Sequence, residues 1–338
     1  MKIELIPESG KFYKTNLHCH TNISDGKFSP EEIKEMYKKR GYSAVCYTDH
    51  EVLIGHEDLC DDEFIALHGY EVAIKQDLSK PTAFFQPVYH FNMIAKDQKT
   101  RKMPRFFKTN PSLPGNAATW IESSAVYDEN DIIETSVYDV EWINSYLEGV
   151  KNGGFLITYN HPQWSLHDAT DYLPLLNLHG VEVMNGGCFR LNDNTTLPYE
   201  QMLRAGKKLV PVAGDDTHGL AQVGVCWTMI KADELSYDAL VAAYENGHCY
   251  ASYGPEIKSL VLEDGKIKIK TSDAKYIALM SEGRRSVVRT AKGAPINEAE
   301  FDYEPEKFGA FFRIEVVAED GSLAASNAYY TENIQIES

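Results

Sequence analysis

Positive charge is scarce in this chain: 33 Lys and Arg stand against 50 Asp and Glu over 338 residues, a net charge of −17. Sequence-independent binding to nucleic acid needs a broad basic surface to neutralise phosphates, so no nucleic-acid polymer is expected as a partner. Long apolar runs are also missing. None approaches the ~18 residues of a membrane span, so no membrane association is expected. The opening Met1-Lys2-Ile3-Glu4-Leu5-Ile6-Pro7 has neither an apolar core nor a small-residue cleavage site, and reads as carrying no signal peptide. The six cysteines (19, 46, 60, 188, 226 and 249) are scattered and form no C-x-x-C, which predicts reduced, buried thiols and a cytoplasmic setting. Internal repeats and low-complexity segments are absent. With 43% hydrophobic and 25% charged residues, the chain has a soluble globular composition. Its length allows a large core and exceeds the usual single domain.

What is present begins at Leu17-His18-Cys19-His20-Thr21-Asn22-Ile23-Ser24-Asp25-Gly26. An alternating apolar run (Phe12, Tyr13, Thr15, Leu17) leads into it and reads as a strand. Residues i and i+2 of a strand share a face, so His18 and His20 can aim both imidazoles into one space, where borderline divalent metals accept nitrogen ligands. Next, Ser29-Pro30-Glu31-Glu32 carries an N-cap, a proline at the first helical position and a capping-box glutamate. Gly41 ends that helix.

A second strand, 42–47, runs into Thr48-Asp49-His50. A third, 64–67, leads to His68-Gly69-Tyr70-Glu71, and a fourth, 88–94, carries His90. A helix is expected from Val140 to Val150. The 155–159 strand then delivers Asn160-His161-Pro162, and the 180–185 strand is followed by a helix near 195–205. The 209–214 strand delivers Asp215-Asp216-Thr217-His218. A strand at 225–230 and a Ser236-capped helix complete the series. Strands alternating with helices imply a parallel sheet, and about seven units imply a barrel with its chemistry at the strand ends. Residues 96–137 lack periodicity and hold Pro104, Pro111 and Pro114, which predicts a lid-like insertion.

Beyond residue 254 the texture changes. The segments 259–263 and 266–270 alternate on either side of Asp264-Gly265, a hairpin signal, and strand-like runs follow at 275–281, 309–318 and 326–336. The expected organisation is a barrel over 1–254 and a sandwich-like all-β domain over 255–338, which contains no histidine.

Collected along the chain, the candidate metal ligands are His18, His20, Asp25, His50, Glu71, His90, His161, Asp216 and His218. That is six of the eleven histidines plus three acids, a set suited to two or three ions sharing a carboxylate. His56, His68, His167, His179 and His248 lack such context and read as structural. Asp49 and Asp215 each precede a ligand by one residue, which fits either orientation of His50 and His218 or capping of a turn.

The succession L-H-C-H-T, S-D-G, Y-T-D-H, G-Y-E, N-H-P and G-D-D-T-H resembles the motifs of the polymerase and histidinol phosphatase (PHP) family over roughly residues 12–254. The resemblance implies a distorted (β/α)7 barrel holding two or three divalent ions, usually zinc, manganese or iron. It implies one ion held by His18, His20, Glu71 and Asp216. A second would share Glu71 with His90 and His161, and a third would sit between Asp25, His50 and His218. Asp25 stands where some members place histidine. Residues 246–256 and the β module after them resemble the carbaryl-hydrolase-like branch, which extends the chemistry beyond phosphoesters.

The expected activity is that of a metal-dependent phosphoesterase: a metal-bound hydroxide attacks a small phosphoester, such as a nucleotide or a sugar phosphate. Glu71, Asp216 and His218 are the expected catalytic residues, with His218 or a water protonating the leaving group. Hydrolysis of a carbamate, ester or amide by the same centre is the alternative, and a non-catalytic metal-binding barrel is a third. The expected partner is a small anionic phosphoester, and no oligomeric state is read. For substrate binding the candidates are Arg190, after the 181–185 run, and the cationic run at Lys96, Lys99, Arg101, Lys102, Arg105 and Lys108. Arg101, Lys102 and Arg105 are expected to reverse the local sign of the field for an anion at the barrel mouth. A plain solvated charge run is the competing reading.

Overall fold

The computed structural model describes residues 2–76, 86–110, 113–189, 194–290 and 293–334. Seven strands position the candidate ligands: β1 (Lys11–Asn16), β2 (Ala44–Tyr47), β3 (Ile65–Lys75), β4 (Val88–Ala95), β5 (Phe155–Tyr159), β6 (Gly180–Asn185) and β7 (Val210–Gly214). They pair in the order β7-β6-β5-β4-β3-β2-β1. β1, β2 and β3 run parallel, as do β5, β6 and β7, while β4 is antiparallel to both neighbours. The two ends of this order meet beyond β1 and β7. Cys19 and Thr217 form a parallel bridge, His20 N–H donates to the Thr217 carbonyl (3.1 Å), and Asp216 N–H donates to the His18 carbonyl (2.9 Å).

Local sequence explains the punctuation. Helix α1 (Pro30–Lys38) starts on Ser29 with both halves of the capping box formed, and buries Ile33 and Tyr37. Helix α2 (Val140–Asn152) starts on the Asp139 cap and turns Ile143, Tyr146, Leu147 and Val150 into the core beside β5. Strands β2, β5, β6 and β7 are buried along their whole length, so they read as nearly continuous apolar runs rather than alternating ones.

The sheet does not stop at the ring. Beyond β1 it continues through Trp227–Ala232 and Cys249–Ser252 into Leu323–Ser326, Phe311–Val317, Tyr276–Ser281 and Ser286–Thr290. A separate sheet has the order Lys2–Glu4, Ile257–Glu263, Lys266–Ala274, Ile296–Asp302, each strand antiparallel to the next. The expected hairpin forms, with Asp264 and Gly265 both at positive φ (50° and 71°), as a two-residue turn of the twist-matching kind requires. Leu260, Leu262, Ile267 and Ile269 of this sheet share one core with Ile277, Leu279, Phe312 and Ile314 of the other. Leu5 and Ile6 lie in that core too, so the first residues pack with the C-terminal strands although the sequence grouped them with the ring.

The 96–137 segment has structure of its own, including helix Ala117–Ser124 and paired short strands Lys102–Met103 and Val126–Tyr127. Because β4 runs backwards, the segment leaves from the end opposite His90: Lys96 N–H bonds the Gly154 carbonyl, just before β5 begins. Its later part reaches the ligand side, where Asn116 N–H donates to the Ser24 carbonyl (2.8 Å).

Candidate metal centre

The strand directions bring nine predicted ligands to one end of the ring. His18 and His20 follow β1, His50 follows β2, His161 follows β5, and Asp216 and His218 follow β7. Glu71 lies within β3 rather than at its end, paired opposite Asn92, and His50 forms an isolated parallel bridge to it. His90 is near the start of β4. The reversal of that strand places its beginning beside the ends of the others, so a mid-run histidine joins a set of terminal ones.

Glu71 is the centre of the arrangement. Its Oε1 lies 3.0 Å from His90 Nδ1, 3.3 Å from His18 Nε2 and 3.4 Å from His161 Nε2. Its Oε2 lies 3.2 Å from His50 Nδ1 and 3.4 Å from His20 Nε2. Asn160 Nδ2 donates to Oε1 (2.7 Å) and holds the carboxylate in this split orientation. Asp216 Oδ1 lies 3.2 Å from His20 Nε2 and 3.4 Å from both His18 Nε2 and His218 Nδ1. Asp25 Oδ1 faces His218 Nε2 (3.4 Å), His50 Nε2 (3.8 Å) and His20 Nδ1 (3.9 Å).

Four subsets bring ligand atoms within 4.8 Å of one another: His18, His20 and Glu71; Glu71, His90 and His161; His18, His161 and Asp216; and His20, Asp25, His50 and His218. His20 thus faces two groups, one through each ring nitrogen.

The electrostatics are lopsided. Every ion pair that Glu71, Asp216, Asp25 and Glu182 make among the described residues is to an imidazole. Burial raises the Glu71 carboxyl, but the His90, His18 and His50 rings outweigh it and hold the group well below the usual carboxylate range. Asp216 is held low in the same way, by His18 and His20 against its burial. Burial pulls His50 down to about 3, and it also lowers His90. His218 goes the other way: burial is outweighed by Asp25 and Asp216, and the ring is pushed up to about 9.

Divalent metal ions fit this donor set. Ring nitrogens His20 Nδ1, His50 Nδ1 and His90 Nδ1 are buried without a hydrogen-bond partner among the described residues. For His50 and His90 this holds although a carboxylate oxygen lies 3.2 and 3.0 Å away. Buried polar atoms are normally paired, so close approach without hydrogen-bond alignment marks atoms converging on a common point between them.

One residue of this centre escaped sequence reasoning. Glu182, in the middle of the buried β6 strand, accepts from His18 Nδ1 (2.7 Å), from the His161 backbone N–H (3.0 Å) and from Asn185 Nδ2 (2.9 Å). A carboxylate oxygen accepts, so His18 carries a proton on Nδ1 and Nε2 is the nitrogen turned toward Glu71 and Asp216. Gly214 makes room: a Cβ there would lie 2.5 Å from His18 Cβ and 3.0 Å from Glu182 Oε1. The signal was a lone acid inside an otherwise apolar run, Gly180-Val181-Glu182-Val183-Met184.

Asp49 and Asp215 accept from backbone N–H and hydroxyl groups rather than from the neighbouring rings. Asp49 accepts from Thr21 N–H (2.7 Å), Thr21 Oγ1 (2.8 Å) and Ser24 Oγ (2.7 Å), which ties down the loop that carries Asp25. Asp215 accepts from the N–H groups of Gly224, Val225 and Cys226 and from the Tyr37 hydroxyl. Burial pushes Asp215 up to about 6. Of the two readings, turn capping describes these contacts.

The cationic run does not join the cluster. Arg101 pairs with Glu57 and donates to the Gln98 and Thr100 carbonyls. Lys102 pairs with Asp128 (2.6 Å), and Arg105 faces Asp131 at 3.9 Å. Lys96 and Lys108 are likewise matched to Glu245 and Glu134. The positive field expected at the mouth is therefore neutralised locally: the insertion carries the acids opposite Lys102, Arg105 and Lys108, and Glu57 and Glu245 from outside it face Arg101 and Lys96. Arg190 lies outside the described residues. The histidines read as structural behave so: His167 bonds the Tyr138 and Tyr159 hydroxyls, His179 Nε2 donates to the Tyr244 carbonyl, and His68 Nε2 accepts from His56 N–H. Among the described residues no helix is long and apolar enough to cross a membrane.

Residues 16–108 match the family model described as PHP domain, which bears out the resemblance read from the motifs. No curated protein matches the chain. Among solved structures, one neighbour is a two-domain protein containing a predicted PHP-like metal-dependent phosphoesterase from Bacteroides vulgatus ATCC 8482. It shares 16% identity over 96% of this chain and 98% of that one, with a TM-score of 0.42. Another is a candidate metal-dependent phosphoesterase from Bifidobacterium adolescentis ATCC 15703, with 17% identity, 63% and 89% coverage and a TM-score of 0.36. A third is an amidohydrolase from Chromobacterium violaceum with bound sulfate and no metal, with 17% identity, 60% and 87% coverage and a TM-score of 0.39.

Proposed function

We propose that this chain, with its PHP-domain match at residues 16–108, is a metal-dependent hydrolase built on a distorted (β/α)7 barrel, and that it acts as a phosphoesterase on a small phosphoester. The observation that carries the reading is the split of Glu71. One buried carboxylate presents each oxygen to a different set of imidazoles, five ring nitrogens lying within 3.4 Å. That is the disposition of a carboxylate shared between two cations.

In this reading His18, His20, Glu71 and Asp216 hold one divalent ion. Glu71, His90 and His161 hold a second, and Asp25, His50 and His218 hold a third. When bound, zinc, manganese or iron supplies Lewis acidity and brings the pKa of a coordinated water near ~7. The chain's own groups set the geometry. Glu182 and Asn160 fix the rings and carboxylate that face the centre, and with only the first two ions bound His218 would hold a proton on the ring edge toward Asp25, available to a departing alkoxide. Glu71, Asp216 and His218 are the proposed catalytic residues.

The test is metal reconstitution followed by a substrate panel. Two to three metal equivalents, with hydrolysis of phosphomonoesters that chelation abolishes, is the expected result. Hydrolysis restricted to carbamates, esters or amides would move the assignment to the alternative chemistry. Fewer than one bound equivalent would overturn the multinuclear centre.

A further inference from the structure

The open side of the centre carries a side chain that the metal reading leaves unused. Trp164 lies three residues beyond His161, in the turn that leaves β5, and 41% of its surface is exposed. Its ring centroid is 4.8 Å from the His161 ring in an edge-on arrangement, and 5.2 Å from the His90 ring. Large aromatic side chains contribute most when covered, so one 41% exposed beside two imidazoles of a candidate site offers surface that packing does not use.

The turn that presents Trp164 is firmly built. Ser165 N–H donates to the His161 carbonyl, Leu166 N–H to the Gln163 carbonyl and His167 N–H to the Pro162 carbonyl, each at 3.1 Å. Val88 N–H, at the start of β4, reaches across to the Ser165 carbonyl (3.3 Å) and joins the turn to the strand that carries His90. His161 and Leu166 sit at φ 25° and 60°, a left-handed conformation that non-glycine residues adopt only when their surroundings impose it. At the foot of the turn, the His167 ring is gripped between the Tyr138 and Tyr159 hydroxyls (3.0 and 2.7 Å). A strained, multiply bonded turn holding an exposed indole is a preorganised surface.

We propose that Trp164 is a specificity-determining residue that stacks on a planar, unsaturated ring attached next to the bond that is hydrolysed. This rests on the hydrolase reading and narrows its substrate class. Aromatic rings pair in offset or edge-on geometry at 4.5–7 Å between centroids, so a substrate ring against the exposed part of the indole lies beside the His90–His161 group. A saturated ring of the same size has no π face to offer.

The experiment compares benzyl phosphate with cyclohexylmethyl phosphate, whose leaving groups are similar in size but differ in planarity, and the corresponding pair of acetate esters. Metal-loaded full-length protein is assayed as wild type, Trp164→Phe and Trp164→Leu. The expected result is a roughly tenfold loss of kcat/KM for the benzyl substrate in Trp164→Leu, carried by KM. Trp164→Phe should retain most of it, and the cyclohexylmethyl substrate should be unaffected. Equal losses for both ring types, or none for either, would overturn the proposal. Calorimetric titration with benzylphosphonate and cyclohexylmethylphosphonate reads the same preference without turnover. If neither ester class is hydrolysed but benzylphosphonate binding still weakens about tenfold in Trp164→Leu alone, the hydrolase reading fails while the role of Trp164 stands.

Discussion

At the seam between the ring and the C-terminal strands, the buried Arg313 guanidinium donates to Glu200 (2.7 Å) and pairs with Glu315 (2.6 Å). Thr196 Oγ1 adds a hydrogen bond to the same Glu315 carboxylate, and Arg204 pairs with Glu200 from the neighbouring turn. At the mouth of the ring, Glu71, Asp216 and Glu182 are also buried, but among the described residues their ion pairs are to imidazoles alone, and three imidazoles of the cluster keep an unpartnered nitrogen. Both regions bury carboxylates. The first answers them with permanent cations in paired geometry, and the second leaves a negative surplus converging on shared space. Burial of charge alone therefore does not mark a functional site; burial without its own counter-charge does.

The contrast can be broken most violently at its centre. Glu71→Gln should lose bound metal and lower hydrolysis by on the order of 10²–10³-fold or more, because a group that stabilises charge in the reaction is removed. Asp25→Asn, which touches only the outer group, should cost much less. Elemental analysis with initial rates checks both, and a fully loaded, active Glu71→Gln protein would refute the bridging assignment.

Arg313→Ala probes the other member of the pair. Leaving the part-buried Glu315 without its cation, and the buried Glu200 with only the more exposed Arg204, should destabilise folding by about 3 kcal/mol. Metal content and kcat of the folded fraction should stay unchanged. A denaturant titration alongside a metal assay separates these effects; loss of metal at unchanged stability would couple the seam to the centre.

Glu182→Gln sharpens the comparison from within the mouth. Weakening the hydrogen bond that sets the His18 tautomer should lower metal affinity by roughly 10–100-fold, measured by chelator competition. Unchanged affinity would reduce Glu182 to a packing residue.

A smaller effect comes from histidines away from the mouth. Burial holds His179 down at about 4, below its ordinary 6.5. The unfolded chain then binds the extra proton between those values, so this contribution is intact above pH 6.5 and is lost as pH falls toward 4. It should account for about 1–2 kcal/mol of stability between pH 7 and 5. His179→Gln should therefore show a smaller drop in Tm over that interval than wild type, in chelator-treated samples; parallel curves would contradict it.

The smallest effect is expected where the structure pairs exposed charges. Lys102→Ala removes one surface ion pair, and should change stability by less than about 0.5 kcal/mol and leave KM untouched. A salt-dependent rise in KM would restore the cationic run as a substrate contact.

Much of this molecule was legible in one dimension. The H-x-H spacing, the capping box at Ser29–Glu32 and the Asp264-Gly265 hairpin depend on neighbours a few residues apart, where backbone geometry alone sets which side chains share a face or a turn. So the candidate ligands and most elements could be named from residue order. Strand direction could not. The antiparallel course of β4 arises from pairing with β3 and β5, far apart in sequence, and it sends the cationic run away from the mouth while bringing His90 to it. The partners of Arg101, Lys102 and Arg105 and the grip of Glu182 on His18 were likewise decided only by folding. A charge does not specify its partner until long-range packing has chosen which surfaces meet, whereas a turn or a strand face is specified by the few bonds that separate its residues.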